Sequence, residues 1–232
     1  MITGVTSGIG RALVDKLSSS ELHIIGVGRN ADKLAQVASA TGLTPIVADF
    51  SDSEQIHRAV AEIVALAPSI DILVNNAAEC VYANPLELSN DRWRRLVDVN
   101  LNAVVQLCSE LAERIVANGD IVNISSVTAD FVPNPRFAPY AVTKAALHAF
   151  TRAMRLQLAP RGTRVTLISP GLVDTEIYEK VEGFETTLSK LKSTIPDWLT
   201  AEDVARAIVW ALEQPPHVVV GEIVLFPRGQ TR

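Results

Sequence analysis

Two cysteines and four histidines are all that this 232-residue chain offers by way of thiol and imidazole metal ligands. Cys80 and Cys108 cannot build a disulfide framework, and His23, His57, His148 and His217 show no ligand spacing, so no metal is expected. No run of about 18 uninterrupted apolar residues occurs, which removes a spanning helix and a membrane partner. Met1 leads straight into Ile-Thr-Gly with no basic region or cleavage site, so no secretory signal is read and a cytoplasmic location is expected. Low-complexity tracts and internal repeats are absent. The net charge of −5 gives no basic field to attract phosphate backbones, and nucleic acid is excluded as a partner. What remains is ordinary globular usage, 48% apolar and 20% charged, in one domain spanning residues 1–232.

Short runs rich in Val and Ile recur at 22–28, 44–48, 70–75, 119–125, 163–169 and 218–226 and read as buried strands. Between them, apolar residues spaced i, i+3, i+4 predict helices over 9–17, 32–40, 54–67, 91–117, 140–158 and 202–213. Asn30, Ser51 or Ser53, Ser89, and Thr200 with Asp203 are start signals. Gly42, Pro68, Gly119 and Pro215 are stops. Strict alternation of strand and helix implies an α/β fold: a doubly wound parallel sheet of about seven strands, with helices on both faces. Ligands of such sheets bind beyond the carboxyl ends of the strands. The polar stretch 174–199 breaks the alternation where it leaves a strand's carboxyl end, and a lid over a site is expected there.

Thr3-Gly4-Val5-Thr6-Ser7-Gly8-Ile9-Gly10 links the first strand to the first helix. Its glycines permit positive φ and let backbone N–H groups approach an anion at the helix's positive end. The second strand ends in Gly28-Arg29-Asn30, and Arg29 lies where an NAD site usually presents an acid to the ribose 2′-hydroxyl. A 2′-phosphate needs a cation instead, so NADP(H) is preferred over NAD(H).

Ser125 and Ser126 end the fifth strand, and Tyr140 is followed at i+4 by Lys144, which places phenol and ammonium on one helix face. A cation about 4 Å away favours phenolate by up to about 4 kcal/mol at an effective dielectric of about 20, before burial opposes it. Tyr140 is thereby expected to exchange a proton with an alcohol or carbonyl oxygen near neutrality. Ser126 rather than Ser125 is expected to face the cleft.

The glycine loop, Asn75-Asn76-Ala77-Ala78 after the fourth strand, Asn100 in Asp98-Val99-Asn100, Ser126, Tyr140 with Lys144, and Pro170-Gly171 occur in one order. Over essentially its whole length the chain resembles the classical short-chain dehydrogenase/reductase family. The resemblance implies that Gly4, Thr6, Ser7, Gly8, Ile9 and Gly10 hold the phosphates and adenosine of the cofactor, with Arg29 and Asn30 at the ribose. It implies that Asp49, beside Phe50, meets the adenine and that Asn76, Ala77 and Ala78 line the central strand end. Pro170, Gly171, Val173 and Thr175 would flank the nicotinamide. Tyr140 would be the acid/base, Ser126 would orient the substrate oxygen, Lys144 would hold the ribose and tune Tyr140, and Asn100 would anchor a water. Substrate contacts are expected from 79–82, 127–135 and 174–198.

Departures from the family pattern are few. Only Met1 and Ile2 precede Thr3, so the first strand is short, as a truncated start or as a loss the fold tolerates. Ala78 stands where the family has Gly, and the interval from Ser126 to Tyr140 is one residue longer than the family usually has. The resulting expectation is an NADP(H)-dependent carbonyl reductase or alcohol dehydrogenase acting on a small carbonyl or hydroxyl substrate. The rival is an NADP(H)-binding sensor or scaffold without turnover; dehydration or epimerisation on the same fold is a third possibility. A homodimer or homotetramer is expected through helices 91–117 and 140–158, using Leu101, Val104, Val105, Leu147, Phe150 and Leu156.

Overall fold

The computed structural model describes residues 1–179 and 181–230. Strand β1 (Ile2–Thr3) feeds helix α1 (Gly8–Leu17), and β2 (Ile25–Gly28), α2 (Ala31–Thr41), β3 (Thr44–Val47) and α3 (Ser53–Leu66) follow in alternation. The second half runs β4 (Ile70–Asn75), α4 (Asn90–Val97), α5 (Ala103–Leu111), β5 (Ile115–Ile124) and α6 (Ala138–Leu158). It closes with β6 (Arg164–Pro170), α7 (Glu185–Thr194), α8 (Ala201–Leu212) and β7 (Glu222–Leu225). The strands form one parallel sheet in the order β3-β2-β1-β4-β5-β6-β7. This is the doubly wound, Rossmann-like sheet that the alternation predicts. Strand order reverses between β1 and β4, and that reversal opens a crevice beyond their carboxyl ends.

The sheet is covered on both faces. Leu13 and Val14 of α1, Leu34 and Val37 of α2, and Val204 and Ile208 of α8 pack on one side. On the other, Ile56 and Ile63 of α3, Leu107 and Leu111 of α5, and Leu147 of α6 fill two further clusters. Strand β1 is as short as its sequence suggests, yet it holds the centre of the sheet because Met1 extends its pairing. The Met1 ammonium donates to Ile72 O at 2.8 Å and Val74 N donates to Met1 O at 2.9 Å.

Several helix signals act as read. Asn30 accepts from Lys33 N, Ser89 from Arg92 N, and Thr200 and Asp203 form a reciprocal capping box. Gly42 closes α2 at φ 76°, in the left-handed region that glycine enters without a Cβ penalty. The cap of α3 is Asp52 rather than either serine; its carboxylate accepts from both Glu54 N and Gln55 N.

The helix expected over 91–117 is broken. Asp98–Asn102 forms a π-helical turn between α4 and α5, and the helix ends in a 3₁₀ turn at Ala112–Arg114. Ile115 already pairs with Ile70, and register then jumps to Ile72 with Asp120. Gly119 therefore lies within an irregular strand rather than stopping a helix, beside Asn118 at φ 63°. A Cβ on Gly119 would meet Asp71 O at 2.9 Å. Strand pairing overrides the helical pattern of 112–117, and any interface through helix 91–117 reduces to α4 and α5.

The excursion after β6 folds back onto the body. Its two ends are joined by Asp174 N to Leu199 O (2.8 Å) and Leu199 N to Leu172 O (3.1 Å). Phe184 is fully buried among Tyr82, Phe137 and Val181, with ring centroids 4.9 and 5.3 Å from Tyr82 and Phe137. No helix among the described residues is long and apolar enough to cross a membrane.

Candidate active site

A cavity of about 510 Å³ occupies the crevice. Gly4, Ser7 and Gly8 floor it, Arg29 and Asp49 wall one end, and Ser126, Tyr140, Lys144 and Tyr178 wall the other. Thr6, Ile9, Phe50, Asn76, Ala77, Ala78, Pro170, Gly171, Val173 and Thr175 also line it. Three residues that the family resemblance implicates do not. Asn30 is committed to capping α2, Gly10 packs beneath the loop, and Asn100 is buried behind the wall.

The glycine loop lies close against its neighbours. Gly4 and Gly8 have φ of 70° and 53°, and a Cβ on Gly8 would press on Thr175 Cγ2 at 3.2 Å. A Cβ on Gly10 would lie 2.3 Å from Gly4 O, so the loop closes only around a hydrogen at that position. Thr3 Oγ1 accepts from Asn76 N at 2.9 Å and Ala77 N at 3.0 Å, while Asn76 Nδ2 donates to the carbonyls of Thr3 and Gly4. Asn76 therefore ties the ends of β1 and β4 together and holds the loop's shape. Gly8 and Ile9, at the start of α1, line the cavity, and the N–H groups of a helix start suit a phosphate-bearing ligand.

At the other end, Tyr140 and Lys144 share a face of α6 one turn apart. The Lys144 ammonium is buried 5.6 Å from the centroid of the Tyr140 ring and donates to Ile124 O at 2.9 Å. Burial depresses Lys144 to about 8. Tyr140 departs from the sequence expectation. Burial, with Cys80 and Tyr178 nearby, drives its phenol well above the usual tyrosine range, while hydrogen bonding with Ser126 opposes the rise without reversing it. Desolvation outweighs the cation, and the phenol is neutral near neutrality.

Ser125 and Ser126 both line the cavity, contrary to the expectation that only Ser126 faces it, and their hydroxyls turn to different partners. Ser126 Oγ accepts from Thr128 Oγ1 at 2.9 Å and Thr128 N at 3.2 Å, whereas Ser125 Oγ turns to Lys144 O at 3.4 Å. Thr128, expected among the substrate contacts at 127–135, does not line the cavity and instead holds the Ser126 hydroxyl, a contact that nothing in Ser-Val-Thr marks. Asn100 sits in the π turn and grips the neighbouring loop. Its Oδ1 accepts from Glu79 N at 2.8 Å, and its Nδ2 donates to Glu79 O at 2.8 Å and Thr143 Oγ1 at 3.1 Å. Both amide hydrogens are thus used within the protein.

Of the expected substrate contacts, Glu79, Cys80, Val81, Thr175, Ile177 and Tyr178 reach the cavity, but Tyr82, 127–135 and the other described residues of 174–198 do not line it. That loop turns away, with Val127 and Phe137 buried and Asn134 capping a short 3₁₀ turn at Pro135–Phe137. Cys80 is pushed up to about 12 by burial and stays a neutral thiol. Arg92 and Arg95 of α4 also line the cavity and were not singled out from sequence. Arg95 donates to Glu79, Ser51 and Asp49, and Arg29 donates to Glu79 as well. Burial raises Asp49, but the Ser51 hydrogen bonds to its Oδ1, together with the Arg95 and Arg29 guanidinium groups, hold the carboxyl below the usual range. Behind the site, His148 meets Asp130 and Glu222, with donor atoms within 4.8 Å of one another. Ser169 Oγ lies 3.2 Å from His148 Nε2, and Arg152 faces Glu222.

The profile of the short chain dehydrogenase family matches residues 1–185. The chain belongs to that family. Short-chain dehydrogenases similar to it span nearly its whole length. An uncharacterized oxidoreductase of Staphylococcus epidermidis is 33% identical over 231 residues, covering 98% of this chain and 96% of that protein. The serine 3-dehydrogenase of Agrobacterium fabrum is 31% identical over 236 residues, covering all of this chain and 94% of its own. Among solved structures, the closed form of a serine dehydrogenase complexed with NADP+ superposes with a TM-score of 0.87 at 28% identity, covering 100% and 95% of the two chains. A Burkholderia cenocepacia short-chain dehydrogenase in complex with NADP gives 0.86 at 27% identity, covering 98% and 95%. The protein is an oxidoreductase of this family.

Proposed function

We propose that this short-chain dehydrogenase is an NADP(H)-dependent carbonyl reductase, reversible as an alcohol dehydrogenase, acting on a small-to-medium carbonyl or hydroxyl substrate. The observation that carries this reading is the meeting of Ser126, Tyr140 and Lys144 at one end of the cavity that the glycine loop floors. Among the relatives, a serine dehydrogenase complexed with NADP+ supports both the cofactor and an alcohol carbon as the site of oxidation.

The glycines and main-chain donors at the start of α1 would hold the dinucleotide's phosphates, and Arg29 its ribose 2′-phosphate. When bound, the nicotinamide supplies or accepts the hydride. The remaining chemistry is acid–base work by this chain. The neutral Tyr140 phenol gives its proton to the carbonyl oxygen as charge develops there. Ser126, held by Thr128, supplies a second hydrogen bond to that oxygen. Lys144 keeps a positive charge beside the phenol and holds a ribose hydroxyl. Carbonyl reduction consumes a proton and alcohol oxidation releases one, so lower pH favours reduction and higher pH oxidation.

The short-chain dehydrogenase works as a single domain. Its partner is a second copy covering the exposed Val105, Val142 and Leu156 on α5 and α6, since Val104 and Leu147 are spent on the core. Tyr140→Phe is the test. Consumption of NADPH with a carbonyl panel falls by at least about a hundredfold, while NADPH binding, read by fluorescence, is kept. Turnover retained in the variant overturns the acid role. Wild-type binding of NADPH without turnover on any substrate favours the sensor.

A further inference from the structure

The adenosine end of the cavity holds four charged side chains rather than one free cation. Arg29 and Arg95 contribute two positive charges, Glu79 and Asp49 two negative ones, so the cluster sums to zero. A ribose 2′-phosphate entering here meets no unpaired guanidinium.

The two arginines do not hold Glu79 equally. Arg95 grips it as a fork, NH2 to Oε1 at 2.7 Å and Nε to Oε2 at 3.1 Å, and further bonds Ser51 Oγ at 2.6 Å. Arg29 makes one bond, NH1 to the same Oε1, and its side chain is 57% exposed against 39% for Arg95. Two bonds and a fixed stem against one bond and a free stem decide which arginine lets go. Nor can the carboxylate withdraw with its loop, because Asn100 clamps both the N–H and the carbonyl of Glu79.

We propose that Glu79 and Arg95 set cofactor choice as a pair: Glu79 competes with a ribose 2′-phosphate for Arg29, and Arg95 keeps the Glu79 carboxylate neutralised once Arg29 has turned to the phosphate. This rests on the NADP(H) reading above and adds to it a device that weakens the preference Arg29 alone would give. A 2′-hydroxyl needs no cation, so NADH binds without breaking the Arg29–Glu79 bond. NADPH binds only with that exchange.

Direct titration tests this without turnover, using calorimetry for 2′,5′-ADP and 5′-AMP and nucleotide fluorescence for NADPH and NADH. Glu79→Gln keeps the shape and removes the charge. It is expected to tighten 2′,5′-ADP and NADPH by about fivefold while 5′-AMP and NADH move by less than about twofold. Arg95→Gln leaves Glu79 without its fork and is expected to weaken NADPH and 2′,5′-ADP by about fivefold, a loss that disappears in the double variant because the carboxylate is gone. Thermal melts show whether each variant is folded. Unchanged or weaker 2′,5′-ADP binding in Glu79→Gln, or an Arg95→Gln loss that persists in the double variant, overturns the pairing. Tighter binding of NADH than NADPH by the wild type overturns the NADP(H) reading instead, and the response of 2′,5′-ADP to Glu79→Gln still decides the role of the pair.

Discussion

Lys144 is a charged group placed where folding has to desolvate it, and the cost can be measured. Its ammonium is 2% exposed and titrates at about 8 in the folded chain, against 10.5 in the open. Where the folded pKa of a lysine lies below the unfolded one, the unfolded chain binds more protons between the two values, so stability rises with pH across that window. The full gap corresponds to about 3 kcal/mol of destabilisation well below pH 8, at about 1.4 kcal/mol per pH unit. About 2.5 kcal/mol of it is relieved between about pH 7 and about pH 10. Lys144→Met removes the titration and leaves Ile124 O without its donor, a loss that does not vary with pH. Urea denaturation of wild type and variant at both pH values isolates the effect, because every other titrating group is common to the two. The wild type should gain about 2.5 kcal/mol on the variant from the lower to the higher pH. A difference that is flat with pH, or that grows in the variant's favour, refutes the claim that the ammonium is buried at a cost.

Two further expectations follow from single contacts. Thr128→Val removes the hydroxyl that orients Ser126 but keeps the backbone bond, so kcat should fall by about tenfold with cofactor affinity unchanged, and Thr128→Ser should restore it; steady-state kinetics with NADPH titrations checks both. Arg164 lies buried in a fork to Asp120 at 2.7 and 2.9 Å and donates to the carbonyls of Leu212 and Gln214 at the end of α8. Arg164→Met strands a buried carboxylate and should cost about 3–5 kcal/mol in urea melts.

How far the sequence carries depends on the range over which each signal acts. The caps at Asn30, Ser89 and Thr200 were legible because they are complete within four residues. Tyr140 and Lys144 were legible for the same reason, since a helix of any tertiary setting brings i and i+4 together. The sign of the Tyr140 shift was not. The cation argument is local, whereas the desolvation that outweighs it depends on elements from Cys80 to Tyr178 closing over the ring. The break at Asp98–Asn102 was hidden for a related reason: Leu101, Val104 and Val105 continue a helical pattern, and only the pull of Glu79 and Thr143 on Asn100 shows why the helix admits an extra residue there. Glu79 lies 50 residues from Arg29 and 16 from Arg95, so their shared carboxylate leaves no trace in spacing.

That same asparagine links the two ends of the cavity mechanically. Through Glu79 it fixes the loop that carries Cys80 and Val81 into the cavity and the Glu79 carboxylate beside Arg29 and Arg95. Through Thr143, which donates onward to Tyr140 O at 2.8 Å, it reaches the first turns of α6. A π turn places a side chain out of step with the helix around it, and here that offset lets one residue hold a loop on one side and the helix that carries Tyr140 on the other. Asn100 spends both amide hydrogens and its carbonyl oxygen on these contacts. The residues at the two ends of the cavity are thus joined by a short hydrogen-bonded path, Glu79–Asn100–Thr143–Tyr140.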